Sequence, residues 1–337
     1  MFSDTHSIKK TKFNKNLRSD SDGTLKIILA DKFNRRLEHM PENLHSLTLG
    51  YYFNKKIVRL PDALIDLTFG YKFNKKLENL PNGLKSLTLG NDFNQKLENL
   101  PSGLTSLTLG KNFNQKLENL PSGLTSLTLG TFFNQKLENL PKGLLNLTLG
   151  RHFSQELGNL PISLQSLTLS KKKNQNLNNL PDNLRSLTLR DKSNWYSYDW
   201  HEIYDNFNQS KLPKKLKNLV LGNYFNQKLK KLPNSLQNLT FSKESKFNQN
   251  LENLPSSLRS LTLGEHFNNK LNVTVALPYL QELIIYCRGN LPIPILFDIR
   301  IIIINVYDNT TQLKYEEYKN YDIVRWKYIF CSSINIK

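Results

Sequence analysis

Prolines recur at an unbroken step of twenty residues, at Pro41, Pro61, Pro81, Pro101, Pro121, Pro141, Pro161 and Pro181, and the series resumes at Pro213, Pro233 and Pro255. A fixed period of this length marks a chain assembled by copying one small unit, and it overrides the two-domain expectation that 337 residues would otherwise suggest. One unit, Pro101 to Leu120, reads PSGLTSLTLGKNFNQKLENL. Counting from its proline, the apolar residues stand at positions 4, 7, 9, 13, 17 and 20.

Positions 7 and 9, such as Leu107 and Leu109, alternate with Ser106 and Thr108, which is the period-two pattern of a short strand with one buried face. Glycine follows at Gly50, Gly70, Gly90, Gly110, Gly130 and Gly150, where it supplies either a positive φ or close backbone passage. Proline cannot donate to a strand ladder, so position 1 belongs to the turn leading into the strand. Six apolar side chains cannot offset the entropy of ordering twenty backbones, so no unit stands alone. Stacking buries both flanks of each unit and completes parallel strand pairing, which makes the chain a solenoid.

Position 13 is phenylalanine at Phe33, Phe53, Phe73, Phe93, Phe113, Phe133 and Phe153, and again at Phe225, Phe247 and Phe267. Stacked coils place these rings in an offset column. Position 14 is asparagine at Asn34, Asn54, Asn74, Asn94, Asn114 and Asn134. An amide has donors and acceptors for two backbones at once, so this column reads as an internal asparagine ladder with a structural role.

The segment L-x-x-L-T-L followed by F-N-Q-K-L-x-N-L-P resembles the FNIP repeat family, a divergent branch of leucine-rich repeats in social amoebae and in giant viruses of amoebae. The resemblance runs from Lys32 to about Ile285. It implies a leucine-rich-repeat-like solenoid with parallel β-sheet rungs and irregular return segments, about 12 coils of about 20 residues. It also implies a role in protein interaction, often joined to an F-box that recruits ubiquitin-ligase machinery. Only about thirty residues precede the repeats here, and they already hold a half-unit at Phe13, Asn14 and Leu17, so no F-box is expected. The expected organisation is a polar segment with a half-repeat at 1–24, the solenoid at 25–285, and a C-terminal capping region at 286–337. Within that cap, Ile293 to Tyr307 reads as extended and Gln312 to Phe330 as a short amphipathic helix.

The net charge of +18 and pI near 9.7 invite a polyanion reading, although the basic position 16 at Arg36, Lys76, Lys96, Lys116 and Lys136 is offset by a glutamate at position 18. Only Cys287 and Cys331 are present, without metal or disulfide spacing, which suits a reducing compartment, the cytoplasm, or the host cytoplasm for a viral chain. The N-terminus has no apolar leader, and the most apolar stretch, Ile293 to Val306, is broken by Asp298 and Arg300, so no membrane span is expected. The histidines His6, His39, His45, His152, His201 and His266 lack triad or ligand spacing, and no phosphate-cradling loop occurs. No catalytic residue, metal or cofactor is expected, and the chain reads as a binder of proteins, its alternative role a binder of polyanions.

Variable positions on a repetitive frame are where recognition can reside. These are position 5 (His45, Ile65, Lys85, Leu145, Arg185) and positions 11 and 12 (Tyr51, Tyr52, Tyr71, Lys72, Asp92, Phe132, Arg151, His152). The candidate protein-binding residues are therefore His45, Tyr51, Tyr52, Tyr71, Lys72, Lys85, Phe132, Arg151 and His152. Trp195 and Trp200 join them from an insertion near 191–205, which either anchors a partner or folds back to fill the gap left where Lys173 replaces a column phenylalanine. The stretch from Asn206 to Ser242 holds Lys211, Lys214, Lys215, Lys217, Lys228, Lys230 and Lys231 with no acidic residue, and these seven are the polyanion-binding candidates.

Overall fold

The computed structural model describes residues 17–19, 24–171, 176–191, 207–269, 277–287 and 300–305. Trp195, Trp200, Lys173 and the amphipathic segment at 312–330 lie outside these residues. The chain divides into two compact units, Met1–Leu164 and Gln165–Lys337. Both are leucine-rich-repeat-like solenoids in which strand order in space follows chain order.

In the first unit β1 (Leu17–Ser19) pairs antiparallel with β2 (Leu25–Ile28). From there β3 (Leu44–Thr48), β4 (Asp66–Thr68), β5 (Ser86–Thr88), β6 (Ser106–Thr108), β7 (Ser126–Thr128) and β8 (Asn146–Thr148) continue in parallel. From β3 to β8 each paired residue meets its equivalent twenty positions on, as in Leu87↔Leu107. The strands are short because the coil must turn at both ends. Leu104 N–H donates to Pro101 C=O at 3.1 Å to close the turn before the strand, and Phe113 N–H donates to Gly110 C=O at 3.3 Å after it.

Gly110 serves close passage, not a positive φ. A methyl built on it would lie 2.7 Å from the Asn91 Cα and closer still to the Gly90 carbonyl, so a side chain here would collide with the coil before it.

Positions 4, 7, 9, 13 and 17 are buried, and the rings of Phe73, Phe93, Phe113, Phe133 and Phe153 stand 6.1 to 6.2 Å apart and nearly parallel. Each such pair contributes about 0.5 to 1.5 kcal/mol beyond burial. Leu100, Leu120 and Leu140 at position 20 are only half-buried. Phe69, a departure from leucine at position 9, enters the same column and stacks on Phe73 at 3.8 Å.

The asparagine ladder exists, but it is not internal. Asn54, Asn74, Asn94, Asn114 and Asn134 N–H groups donate to the side-chain oxygen of the asparagine one coil earlier at 2.9 to 3.1 Å, and Ser154 continues the series onto Asn134. These side chains are exposed or half-buried, because the return segment between Phe113 and Leu117 carries them along the outer surface. Only the phenylalanine before each asparagine points inward.

The second unit contains β9 (Ser166–Lys171), β10 (Ser186–Asp191), β11 (Asn218–Leu221), β12 (Asn238–Phe241), β13 (Ser260–Leu263), β14 (Glu282–Cys287) and β15 (Arg300–Asn305). All neighbours pair in parallel. β10 and β11 keep register across the twelve-residue insertion, with Leu187↔Leu219. The twenty-residue pattern fades after Ile285, yet pairing continues, since β15 lies in register against β14 through Ile285↔Ile303.

Candidate interaction site

Each coil leaves its strand through a tight turn at positions 11 and 12, and backbone bonds between coils fix that turn. Tyr52 N–H donates to Asp31 C=O, Lys72 to Tyr51, Asp92 to Tyr71, Asn112 to Asn91, Phe132 to Lys111 and His152 to Thr131, all at 2.9 Å. Side chains twenty residues apart are thereby held side by side and form a ridge along the first unit.

At one end of the ridge the Tyr51 ring stacks on Tyr71 at 4.8 Å with 19° between planes, and Tyr52 meets Tyr51 edge-on at 4.7 Å. The Lys72 ammonium sits 5.1 Å above the Tyr71 ring and pairs with Asp92 at 3.0 Å. The hydrogen bond to Asp92, reinforced by its charge, holds the Lys72 ammonium above its ordinary pKa. Asp92 also accepts from Asn112 Nδ2 at 3.2 Å, and Lys111 N–H donates to Asn91 Oδ1 at 3.2 Å. At the far end Phe132 lies 4.9 Å from His152 and carries the Lys111 ammonium 5.4 Å from its centre, with Arg151 exposed beside them. Tyr51, Tyr52 and Phe132 remain 36%, 51% and 40% exposed, which is unusual for large rings already in contact with neighbours. The ridge thus offers aromatic edges at both ends and a polar centre whose charges are already paired.

The structure does not bring every candidate together. Tyr51, Tyr52, Tyr71 and Lys72 form one cluster, and Phe132, Arg151 and His152 form another along the same ridge. His45 and Lys85 occupy position 5 at the opposite end of the strand, six residues from position 11, roughly 20 Å for extended chain. Lys85 Nζ donates to Gly103 C=O at 3.3 Å, and the Nδ1 of half-buried His45 has no hydrogen-bond partner among the described residues.

The lysine candidates belong to the second unit, and all seven are exposed. Lys211 ends a 3₁₀ turn, Gln209–Lys211, capped by Asn208, whose side chain accepts from Ser210 N–H at 3.1 Å. Lys214, Lys215 and Lys217 follow in the turn into β11, where Lys215 Nζ donates to Asn183 Oδ1 at 2.8 Å. Lys228, Lys230 and Lys231 lie on the next return segment and face Asn208, Gln209 and Ser210 across a groove.

Some structurally active residues carried only faint sequence signals. His39, Asn79, Asn99, Asn119 and Asn139 at position 19 adopt φ of 55° to 60°, a conformation asparagine tolerates better than most residues. Their column before the Leu-Pro pair was the available clue. Asp31, Asn91 and Lys111 tie the ridge together, but nothing local distinguishes them from free surface residues. Among the described residues no group of three His, Cys, Asp or Glu could hold a metal ion, and no helix is long and apolar enough to cross a membrane.

The FNIP repeat model matches this chain at residues 33–72, 58–92, 73–107, 93–132, 133–172, 205–244 and 247–287, well over half of its length. Among solved structures, the chain is similar to CroV588, a circular leucine-rich-repeat protein of a giant virus, at 35% identity and a TM-score of 0.60. That match covers 84% of this chain and 46% of CroV588, so this chain spans about half the length of that relative. Lesser likenesses are to YopM from Yersinia enterocolitica (20% identity, 83% of this chain and 73% of that one, TM-score 0.36) and to LegL7 from Legionella pneumophila (17%, 62% and 86%, 0.33). No curated protein matches the chain.

Proposed function

Given that this chain belongs to the FNIP repeat family, we propose that it is a non-catalytic scaffold that binds a protein partner through the ridge at positions 11 and 12. The observation that supports this most is the gathering of the exposed Tyr51 and Tyr52 and the half-buried Tyr71 into one cluster by backbone bonds between coils. Tyrosines held rigid in this way lose little entropy on binding, and tyrosine is enriched among residues that dominate interface energy. The faces of Tyr51 and Tyr71 are turned on each other, which leaves edges and hydroxyls for a partner and suits a protein surface better than a flat ligand. The Lys72–Asp92 pair contributes register and selectivity more than affinity, as expected of an exposed ion pair. A cytoplasmic setting suits a chain with two cysteines and no disulfide spacing.

The test is capture of partners on the immobilised full chain, followed by mass spectrometry, with a photo-crosslinking residue at Tyr52 to report direct contact. Replacing Tyr51, Tyr52 and Tyr71 together by alanine is expected to abolish capture of the crosslinked protein while circular dichroism stays unchanged. Equal capture by the triple variant would overturn the assignment of the ridge.

A further inference from the structure

The coil that enters the second unit's β11 is two residues short. From Phe113 to Pro121 the chain takes eight steps, whereas from Phe207 to Pro213 it takes six. The missing residues remove the buried leucine of position 17, and Gln209 takes its place. Its buried amide donates through Nε2 to Lys228 C=O at 2.8 Å and accepts from Lys230 N–H at 3.0 Å, so the side chain pairs with the backbone on both sides of Leu229. Beside it lies a groove of about 580 Å³ whose lining includes Phe207, Asn208, Ser210, Lys228, Lys230 and Lys231.

The chemistry of this groove differs from that of the corresponding surface elsewhere. In regular coils a lysine at position 16 is accompanied by glutamate at position 18, as in Lys116 and Glu118. Here position 18 is Lys230 and position 19 is Lys231. None of Lys228, Lys230 and Lys231 forms an ion pair with a described carboxylate. The positive band does not stop at the groove, because Lys211 lies one coil from Lys231 and leads directly into Lys214, Lys215 and Lys217. Along the chain these seven lysines follow one another without an intervening acid, the acids at matching positions of the flanking coils being Asp182, one coil before Lys214, and Glu252, one coil after Lys230.

We propose that this groove and the lysines running out of it bind the phosphodiester backbone of single-stranded nucleic acid, without reading its bases. The volume lies within the ~300 to 1,000 Å³ of pockets that hold nucleotide-sized molecules, while the extension of charge beyond it matches a chain and not a compact anion. The Asn208 oxygen is taken up by Ser210, accepting from its N–H at 3.1 Å and its Oγ at 2.7 Å, so the amide nitrogen of Asn208 is the neutral donor it brings beside the cations. Among the described residues the rings beside the groove are already engaged. Phe207 and Phe225 are buried edge to face at 5.9 Å, and Tyr224 lies under the Lys246 ammonium at 5.1 Å. A lipid surface fits less well, because the charges line a recess and none of the exposed large apolar side chains falls between 207 and 242 among the described residues.

Fluorescence anisotropy of a labelled 20-nucleotide oligothymidylate with the full chain tests this directly. If all seven lysines engage, the log-log salt slope is about −5, so affinity falls about a thousandfold between about 50 and 200 mM salt. Changing Lys228, Lys230 and Lys231 to glutamine is expected to flatten the slope by about two, and changing Lys214, Lys215 and Lys217 to do the same. Changing Lys76, Lys96 and Lys116, which lie near glutamates in the first unit, is expected to leave affinity within about twofold. No binding at the lower salt would overturn the proposal, as would equal sensitivity to the first-unit variant, which would mean that net charge alone is at work. Tighter binding to duplex of the same length, to inositol hexakisphosphate, or to vesicles with anionic lipid would overturn it in favour of those ligands.

Discussion

Replacing Gly110 by alanine is expected to damage the solenoid far more than replacing Gly123, although both are glycines in the same repeat. At Gly110 the added carbon would fall inside contact range of the Gly90 carbonyl and within 2.7 Å of the Asn91 Cα. These are backbone atoms of a bonded turn, and no rotamer change can relieve the clash. Overpacking of a tight interior costs about 1 to 3 kcal/mol, and an immovable neighbour places this case near 3. At Gly123 the nearest atom is the Ser102 carbonyl oxygen at 3.7 Å, an ordinary contact. There the loss of unfolded-state freedom makes alanine neutral or stabilising by up to about 1 kcal/mol. Native-state hydrogen exchange suits the comparison, since a repeat array need not unfold in one step. The Asn112 and Phe113 amides, bonded to Asn91 and Gly110, should exchange about a hundredfold faster in the Gly110→Ala variant and unchanged or slower in Gly123→Ala. Equal exchange in the two variants would refute the close-passage explanation of the position 10 glycines.

Two further outcomes follow from the ladder and the left-handed turns. Asn114→Ala removes the acceptor of Asn134 N–H and Gln135 Nε2 and should cost about 1 kcal/mol, whereas Asn114→Asp, which keeps the acceptor, should cost little; urea unfolding of the two variants distinguishes them. Asn99, at φ 58°, should accept glycine within a few tenths of a kcal/mol but lose about 1 to 2 kcal/mol on change to valine, and equal stability of both in thermal unfolding would refute a left-handed requirement there.

The candidate surfaces were legible in the sequence to different degrees. Tyr51, Tyr52, Tyr71 and Phe132 could be singled out because they stand at variable positions of an otherwise repeating frame. That Tyr51 and Tyr71 would stack, and that Asp92 would join Lys72 to Asn112, could not be read, because those contacts depend on the sideways offset of one turn against the next. The same pattern of variation selected His45 and Lys85, which the strand direction carries to the other end of the sheet. The lysine-rich stretch was visible as composition. The groove within it could not be read, because it lies between two coils that Gln209 ties together through Lys228 and Lys230.

Residue order alone dictates the period, the short strand beginning at position 6, the turn at each proline and the inward columns of leucine and phenylalanine. Those follow from local alternation and from the need of each unit to bury an apolar face against its copies. Three-dimensional stacking is what sets the glycine at position 10 against the carbonyl of the previous coil and runs the asparagine ladder along the outside. The structure also decided that β11 pairs with β10 in register after an insertion of twelve residues. The physical reason is the same in all three cases. A repeat fixes which way each side chain faces, but what it touches is set by the stacking distance and lateral offset between coils, which pairing and packing of the whole stack settle together.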